Sequence, residues 1–128
     1  MIILGVDFGL RKIGRSLAEK GVAFPLRVVR YGNEKEAIKM LTDVIEKENV
    51  GKVVVGISEG EMADKTKEFV NNLKVQVNTP VELWNETLST RISQNLAIEA
   101  GLARHKRKSK EDAYAAAVIL QDYLDSGN

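Results

Sequence analysis

Three acidic residues lie at positions in the sequence where carboxylates could do chemistry. Asp7 ends an apolar segment, Glu86 ends another, and Asp112 lies near the start of the last amphipathic segment. A buried, ionised carboxylate without partners costs several kcal/mol, which is large against the roughly 5–15 kcal/mol that stabilises a whole domain. Convergent carboxylates also repel one another unless a hard cation such as Mg²⁺ or Mn²⁺ lies between them. The pattern predicts a metal site of the kind used in phosphoryl transfer.

Each of these carboxylates also has a structural explanation. Asp7 could pair with Arg11 or Lys12 in the turn that follows it. Asp112 comes three residues after Ser109, which is the spacing of a helix-capping box and would be worth about 1 kcal/mol. From the residues alone, capping and metal ligation are equally good explanations of Asp112.

Glu86 has a structural explanation as well, because Asn85-Glu86-Thr87 is an ordinary turn composition. Each residue alone is therefore a weak candidate. Their joint placement favours a site, because Asp7 and Glu86 end strands whose carboxyl ends should meet and Asp112 lies near the start of the neighbouring helix.

Two groups of basic residues in the sequence could bind a polyanion. Arg11 and Lys12 follow Asp7, and a basic run that we expect to be a connecting segment comes directly before the last helix. Contacts from such residues to a phosphate backbone are independent of base sequence and sensitive to salt. The alternative is a solvated loop. The candidate nucleic-acid-binding residues are Arg11, Lys12, Arg104, Lys106, Arg107 and Lys108.

Composition excludes several classes of function. The 128 residues contain no Cys and a single His, so neither thiolate chemistry nor a zinc site built from Cys and His is available. The formal net charge is +1, and no apolar stretch approaches the ~20 residues of a membrane span. We expect one domain over residues 1–128 and a cytoplasmic protein without a membrane partner.

The positions of apolar residues predict an α/β fold. Expected strands are Met1–Asp7, Arg15–Glu19, Val22–Tyr31, Lys52–Ile57 and Val81–Glu86. Expected helices are Glu34–Asn49, Ala63–Val75, one from Thr87 or Ser89 to Gly101, and a last one up to Asp125. Three strands in an antiparallel meander followed by strand-helix crossovers give a mixed five-stranded sheet with helices on both faces. This order matches the ribonuclease H-like architecture.

Four segments of the sequence resemble the motif blocks of the YqgF-type family of Holliday junction resolvases and pre-16S ribosomal RNA nucleases. They are GVDFGLRKIG (Gly5–Gly14), VVVGIS (Val53–Ser58), NETLST (Asn85–Thr90) and EDAYAAAVILQDYL (Glu111–Leu124). The resemblance implies a ribonuclease H-like fold and a Mg²⁺- or Mn²⁺-dependent nuclease of structured RNA or branched DNA. It also implies an acidic triad at Asp7, Glu86 and Asp112, association with a ribosome precursor, and compatibility with a homodimer.

The chain departs from the family pattern at the third block. Asn85 stands where the family usually has Asp, Thr87 stands where it has Arg, and the loop Ser58–Lys65 is shorter and more acidic. A related resolvase group has a catalytic acid at the end of the strand before this loop, so Glu59 is kept as a reserve ligand, although a solvated loop charge explains it better. These departures keep a second function open, a nucleic-acid- or ribosome-binding module with little or no catalytic activity. Actin-like ATPases and sugar kinases also begin with a strand ending in Asp-x-Gly, but they need two lobes, and 128 residues supply about one. Trp84 is expected to pack in the core.

Overall fold

The described strands and helices follow one another along the chain in the predicted order. A computed structural model describes residues 1–57, 60–85 and 104–127, and of residues 104–113 it describes the backbone. The strands are β1 (Ile2–Phe8), β2 (Lys12–Glu19), β3 (Val22–Pro25), β4 (Val29–Arg30), β5 (Val50–Ile57) and β6 (Val81–Asn85). The helices are α1 (Glu34–Lys47), α2 (Glu61–Gln76) and α3 (Arg104–Asp125). The helix predicted between Thr87 or Ser89 and Gly101 lies outside the described residues.

The strands form one mixed sheet in the order β3-β2-β1-β5-β6, and β4 also pairs with β2. β2 is antiparallel to β1 and to β3, whereas β5 is parallel to β1 and β6 is parallel to β5. This confirms the predicted antiparallel meander followed by parallel strands. The carboxyl ends of β1, β5 and β6 therefore meet at one edge of the sheet.

Helices cover both faces of the sheet, as predicted. One face packs against α1 and α2 in a core that includes Leu4, Val6, Leu41, Val55 and Phe69. The other face packs against α3 through a smaller cluster of Ala18, Val54, Ile119, Leu120 and Tyr123. Because successive side chains of a strand point to opposite faces, Val53 and Val55 of β5 belong to the first core and Val54 belongs to the second.

Helix α1 shows why the local sequence adopts this structure. The side chain of Asn33 accepts a hydrogen bond from the backbone N–H of Glu36 at 2.9 Å and caps the helix. Ala37, Leu41 and Ile45 then recur at four-residue spacing and are buried against the sheet.

The third predicted strand, Val22–Tyr31, is interrupted, so one strand becomes β3 and β4. Pro25 has no N–H to continue the ladder with β2. Beyond it, the guanidinium of Arg15 donates to the carbonyl oxygen of Arg27 at 2.9 and 3.3 Å. The N–H of Leu26 still donates to the carbonyl of Arg15 at 2.8 Å, so between β3 and β4 the chain is held to β2 by one backbone bond and by the Arg15 side chain.

Two predicted boundaries are wrong. β2 begins at Lys12 rather than Arg15, because Ile13 and Gly14 are buried and paired with β1. The basic segment predicted as a connection lies within α3, which begins at Arg104. Arg and Lys favour helix, and neither Gly nor Pro interrupts residues 104–125. Ser109 is therefore inside the helix and cannot be its N-terminal cap.

The outer strand β3 is held by a side chain from α3. The Gln121 side-chain oxygen accepts from the N–H of Ala23 at 3.0 Å, and its amide nitrogen donates to the carbonyl of Gly21 at 3.0 Å. A two-residue turn with positive φ at Lys20 (57°) and Gly21 (84°) joins β2 to β3. Gln121 thus occupies backbone hydrogen-bonding positions at this edge.

In the part of the chain that the structure describes, no helix has the length and apolar character that crossing a membrane requires.

Candidate nuclease site

Asp7 is the last but one residue of the central strand β1, and its side chain is half-buried. It lies opposite Gly14 of β2 and beside Gly56 of β5. Neither neighbour has a side chain, so bare backbone flanks the carboxylate on both adjoining strands. Glycine at such positions allows a ligand to approach the sheet closely.

Asp7 belongs to the sheet face that α3 covers. Leu4 and Val6 pack in the core of α1 and α2, and Phe8 packs against it. Ile3, by contrast, packs against the cluster that contains Leu120. Strand alternation places Asp7 on the same face as Ile3.

Helix α3 lies very close to β1 next to Asp7. A Cβ atom on Gly5 would be 2.8 Å from Leu120 Cβ and 3.0 Å from the Ala116 carbonyl oxygen. Ser16, which is opposite Gly5 in the ladder, is fully buried and donates from Oγ to the same carbonyl at 2.7 Å. Gly5 and Ser16 therefore fix the height and register of α3 on the sheet.

The direction of α3 brings the turn that carries Asp112 toward Asp7. Gln121 bonds Ala23, whose row in the sheet also contains Ala18 and Ile3 at the beginning of β1. Ala116 lies farther along β1, over Gly5. Going from Gln121 toward the N-terminus of α3 therefore leads toward the carboxyl end of β1.

Asp112 precedes Ala116 by four residues, about 6 Å along the helix axis. Residues i and i+4 lie on the same side of a helix. Position 112 therefore shares the side of α3 on which Ala116 contacts the sheet.

The third predicted ligand follows the last described residue of β6. Trp84 is paired with Gly56, which is paired with Asp7, so these residues form one row across three strands. Glu86 and Glu59 lie outside the described residues. Among the residues with described side chains, no group of three or more His, Cys, Asp or Glu could hold a metal ion. Of the three predicted ligands, only Asp7 has a described side chain.

Trp84 packs between β6 and α3, which confirms the prediction for this residue. Its ring makes an edge-to-face contact with Tyr123, with centroids 5.3 Å apart and planes at 90°. Its indole Nε1 donates to a carboxylate oxygen of Asp122 at 2.8 Å.

Sequence reasoning missed a polar network that joins β5, β6 and α3. Lys52 Nζ is 2.9 Å from Glu82 Oε2, and the hydroxyl of Tyr123 donates to the same oxygen at 2.8 Å. Lys52 also donates to the Tyr123 hydroxyl. The hydrogen bonds that Lys52 donates, first to the Tyr123 hydroxyl and then to Glu82, raise the pKa of Lys52. The bonds that Glu82 accepts, first from Lys52 and then from Tyr123, lower the pKa of Glu82. The alternation that puts Lys52 and Glu82 on one face was the available signal.

The turn after Asp7 is tied down by Tyr31. Its backbone N–H donates to the carbonyl of Arg11 at 3.1 Å, and its hydroxyl donates to the carbonyl of Gly9. Burial, and then the negative charge of Glu34, raise the pKa of the Tyr31 phenol, so the hydroxyl stays protonated and continues to donate. The predicted cations Arg11 and Lys12 thus lie in an ordered segment, Arg11 exposed and Lys12 half-buried.

The other predicted cations belong to the first two turns of α3. Arg104 precedes Asp112 by eight residues, about 12 Å along the helix. The backbone thus carries the basic run and Asp112 on one rigid element. The residues concerned are Arg104, Lys106, Arg107 and Lys108.

The order and direction of the strands define the class of protein by its architecture, the ribonuclease H-like fold. A structure of T. thermophilus RuvC in complex with a Holliday junction substrate superposes with a TM-score of 0.67 at 17% identity. The superposition covers 100% of this chain and 97% of the RuvC chain. Fowlpox virus resolvase, solved with Holliday junction DNA, gives a TM-score of 0.65 at 16% identity and 98% coverage of both chains. These likenesses establish the fold.

Sequence comparison gives the particular family. The model of the RuvX family, described as Holliday junction resolvase, matches residues 1–126. A Halothermothrix orenii protein named "Putative pre-16S rRNA nuclease" is 35% identical over 136 residues, covering 100% of this chain and 97% of that protein. The chain belongs to the RuvX family, a family of nucleases that hydrolyse phosphodiester bonds. Nucleases of this resolvase-like fold generally use divalent metal ions.

Proposed function

We propose that this chain cleaves the phosphodiester backbone of structured nucleic acid and that its substrate is pre-16S ribosomal RNA, matured at the 5′ end. The name shared by its curated relatives supports this substrate. Holliday-junction-like DNA is the alternative, supported by the description of the family. The site of action would be the bacterial cytoplasm, where ribosome precursors would be the partner.

The observation that carries the proposal is the position of Asp7. A half-buried carboxylate ends the central strand between two glycines, on the face where α3 approaches the sheet. We propose Asp7, Glu86 and Asp112 as ligands of one or two Mg²⁺ or Mn²⁺ ions, since carboxylate oxygens are the donors these ions prefer. The position of Asp112 on α3, one turn before Ala116, supports its inclusion.

The substitution of Asn85 for the usual acid bears on this ligand set. Val81 and Leu83 of β6 pack with the core of α1 and α2, whereas Trp84 packs with the core of α3. Strand alternation assigns position 85 to the α1 and α2 face, opposite to Asp7. Asn85 in place of an acid therefore leaves the face of Asp7 unchanged, and Glu86 is proposed as a ligand from its match to the third motif block of the family.

The division of labour would be as follows. A divalent ion bound there would polarise the scissile phosphate and lower the pKa of an attacking water. Asp7, Asp112 and Glu86 would fix the ion and offset its charge. Arg11, Lys12 and the cations at the start of α3 would hold neighbouring phosphates.

The test is cleavage of a pre-16S RNA fragment and of a four-way DNA junction, each in Mg²⁺ and in Mn²⁺. Asp7→Asn should lower the cleavage rate by at least about 100-fold, because it removes an anionic ligand while preserving shape. Asp43→Asn is the matched control, since Asp43 is exposed on α1 and pairs with Lys39 at 3.4 Å. Equal rates for these two variants would refute the proposed site.

A second candidate function is a nucleic-acid-binding module without nuclease activity. Asn85 and Thr87 favour it, because they replace an acid and a potential phosphate-binding Arg. It predicts that wild-type protein binds both nucleic acids but cleaves neither, and that Asp7→Asn binds unchanged.

A further inference from the structure

A pair of cations lies opposite each other beside Asp7. The two-residue strand β4 pairs with β2 at only two positions, and one of these places Arg30 opposite Lys12. Directly paired residues of an antiparallel ladder project from the same face. Lys12 and Gly14 also share a face, and Gly14 is opposite Asp7. The cations and the carboxylate therefore belong to one face of the sheet.

Like charges directly opposite each other in a sheet repel, and an anion bound to both would offset that repulsion. Arg30 is exposed, and no carboxylate in the described part of the chain forms an ion pair with it. The guanidinium of Arg30 is therefore accessible to an anionic ligand.

The pair is held in place by its neighbours. Tyr31, which follows Arg30, hydrogen-bonds the carbonyls of Arg11 and Gly9 and stacks on Phe8 with centroids 6.1 Å apart. Strand β4 is thus fastened to the turn that leaves β1. The backbone positions of the two cations are thus fixed, so binding does not have to order the strands that carry them.

The distance from Asp7 suits a phosphate next to the cleavage site. Lys12 and Gly14 are two residues apart, about 7 Å along β2. A group bound between Lys12 and Arg30 would therefore lie beside the acidic site and would not occupy it.

We propose that Arg30 and Lys12 together bind one backbone phosphate of the nucleic acid, adjacent to the phosphate that is cleaved. This inference rests on the proposed function. Arg supplies a planar fork that matches phosphate geometry, and Lys supplies a compact charge from the opposite strand. Because the ligand is a phosphate, the contact is independent of base sequence and common to RNA and DNA.

The test measures binding without cleavage. A labelled RNA hairpin and a four-way DNA junction are each titrated with protein in EDTA at a series of NaCl concentrations. Arg30→Gln should weaken binding of both several-fold and reduce the slope of log K against log salt by about one, as expected for one lost phosphate contact. Arg30→Lys should retain most of the affinity, because the charge remains.

Lys20→Gln is the matched control. Lys20 lies in the turn at the other end of β2, eight residues or about 27 Å from Lys12. It should leave affinity and slope unchanged. Identical results for Arg30→Gln and Lys20→Gln would overturn the inference.

Thermal unfolding separates binding from folding. Arg30→Gln should unfold at the same temperature as wild type, because Arg30 is exposed and forms no ion pair with a described carboxylate. A lower unfolding temperature together with weaker binding would make Arg30 a structural residue and would also overturn the inference.

The measurements distinguish failure of this inference from failure of the proposed function. If cleavage depends on Asp7 while Arg30→Gln binds nucleic acid normally, only the proposed phosphate contact is refuted. If wild-type protein binds neither nucleic acid, the proposed function fails as well.

Discussion

Ser16 donates a hydrogen bond from Oγ to the carbonyl oxygen of Ala116 at 2.7 Å, linking β2 to α3 at a fully buried position. The bond joins elements 100 residues apart in the chain. It lies about one helical turn from Asp112 and two rows of the sheet from Asp7, so it links the core to the candidate site.

Ser16→Ala should therefore lower both stability and activity. Loss of a net hydrogen bond costs about 1 kcal/mol, which equilibrium denaturation would measure. Nuclease activity should fall by more than the small unfolded fraction explains, because the turn that carries Asp112 loses an anchor. Ser16→Thr, which keeps the hydroxyl, is the informative comparison. Unchanged nuclease activity in Ser16→Ala would show that this hydrogen bond does not position the candidate site.

Gly5→Ala tests the close approach of α3. The new Cβ would lie 2.4 Å from Ser16 Oγ and 2.8 Å from Leu120 Cβ, so the helix must move outward. Overpacking of this kind costs typically 1–3 kcal/mol. Gly51→Ala in β5 is the control, because the contact at 2.6 Å there is with Cγ of the flexible Met1 side chain. Comparable losses of unfolding free energy in the two variants would contradict the explanation that α3 packs too closely on Gly5 to admit a side chain.

Glu82→Gln should change how stability depends on acid. Hydrogen bonds from Lys52 and Tyr123 hold the pKa of Glu82 below its ordinary value of 4.5. The folded carboxylate thus stabilises the protein above pH 4.5, and this contribution is lost as the pH falls through the lowered pKa. Glu82 is 42% exposed, so the contribution is modest, about 0.2–1 kcal/mol.

Urea denaturation between pH 2 and pH 7 would measure this effect. The difference in unfolding free energy between wild type and Glu82→Gln should be largest above pH 4.5 and should shrink in acid. Asp43→Asn serves as the reference for an exposed ion pair. A difference that stays constant with pH would count against the network.

Mn²⁺ should stabilise the folded protein through the acidic site. An ion at 100 times its dissociation constant adds about 2.7 kcal/mol to the free energy of unfolding. The unfolding temperature of wild type should rise with Mn²⁺, and that of Asp7→Asn should rise much less. Differential scanning calorimetry gives this result without any activity assay, and equal shifts in both proteins would argue against Asp7 as a ligand.

Much of the fold follows from the sequence because burial leaves a clear periodic signal. The apolar residues around Leu4, Val54 and Leu41 predicted the central strands and α1 at nearly the observed boundaries. The break after Pro25 was not predicted, because tertiary hydrogen bonding decides it. The start of α3 at Arg104 was missed although the helix propensity of Arg and Lys was a local signal for it.

The site was predictable to a smaller extent. Asp7 was recognisable as a charge at the end of a buried strand. Its two glycine neighbours and the opposition of Lys12 and Arg30 depend on strand register, which single-sequence patterns do not specify. Glu86 and the side-chain geometry of Asp112 stay predictions.

Gln121 has a consequence for self-association. An outer strand normally offers its free N–H and C=O groups as a template on which a further chain can add. Here an amide from α3 already engages the N–H of Ala23 and the carbonyl of Gly21. Extension of the sheet into a second molecule along this strand would first have to displace that amide, so any dimer is expected to form through another surface.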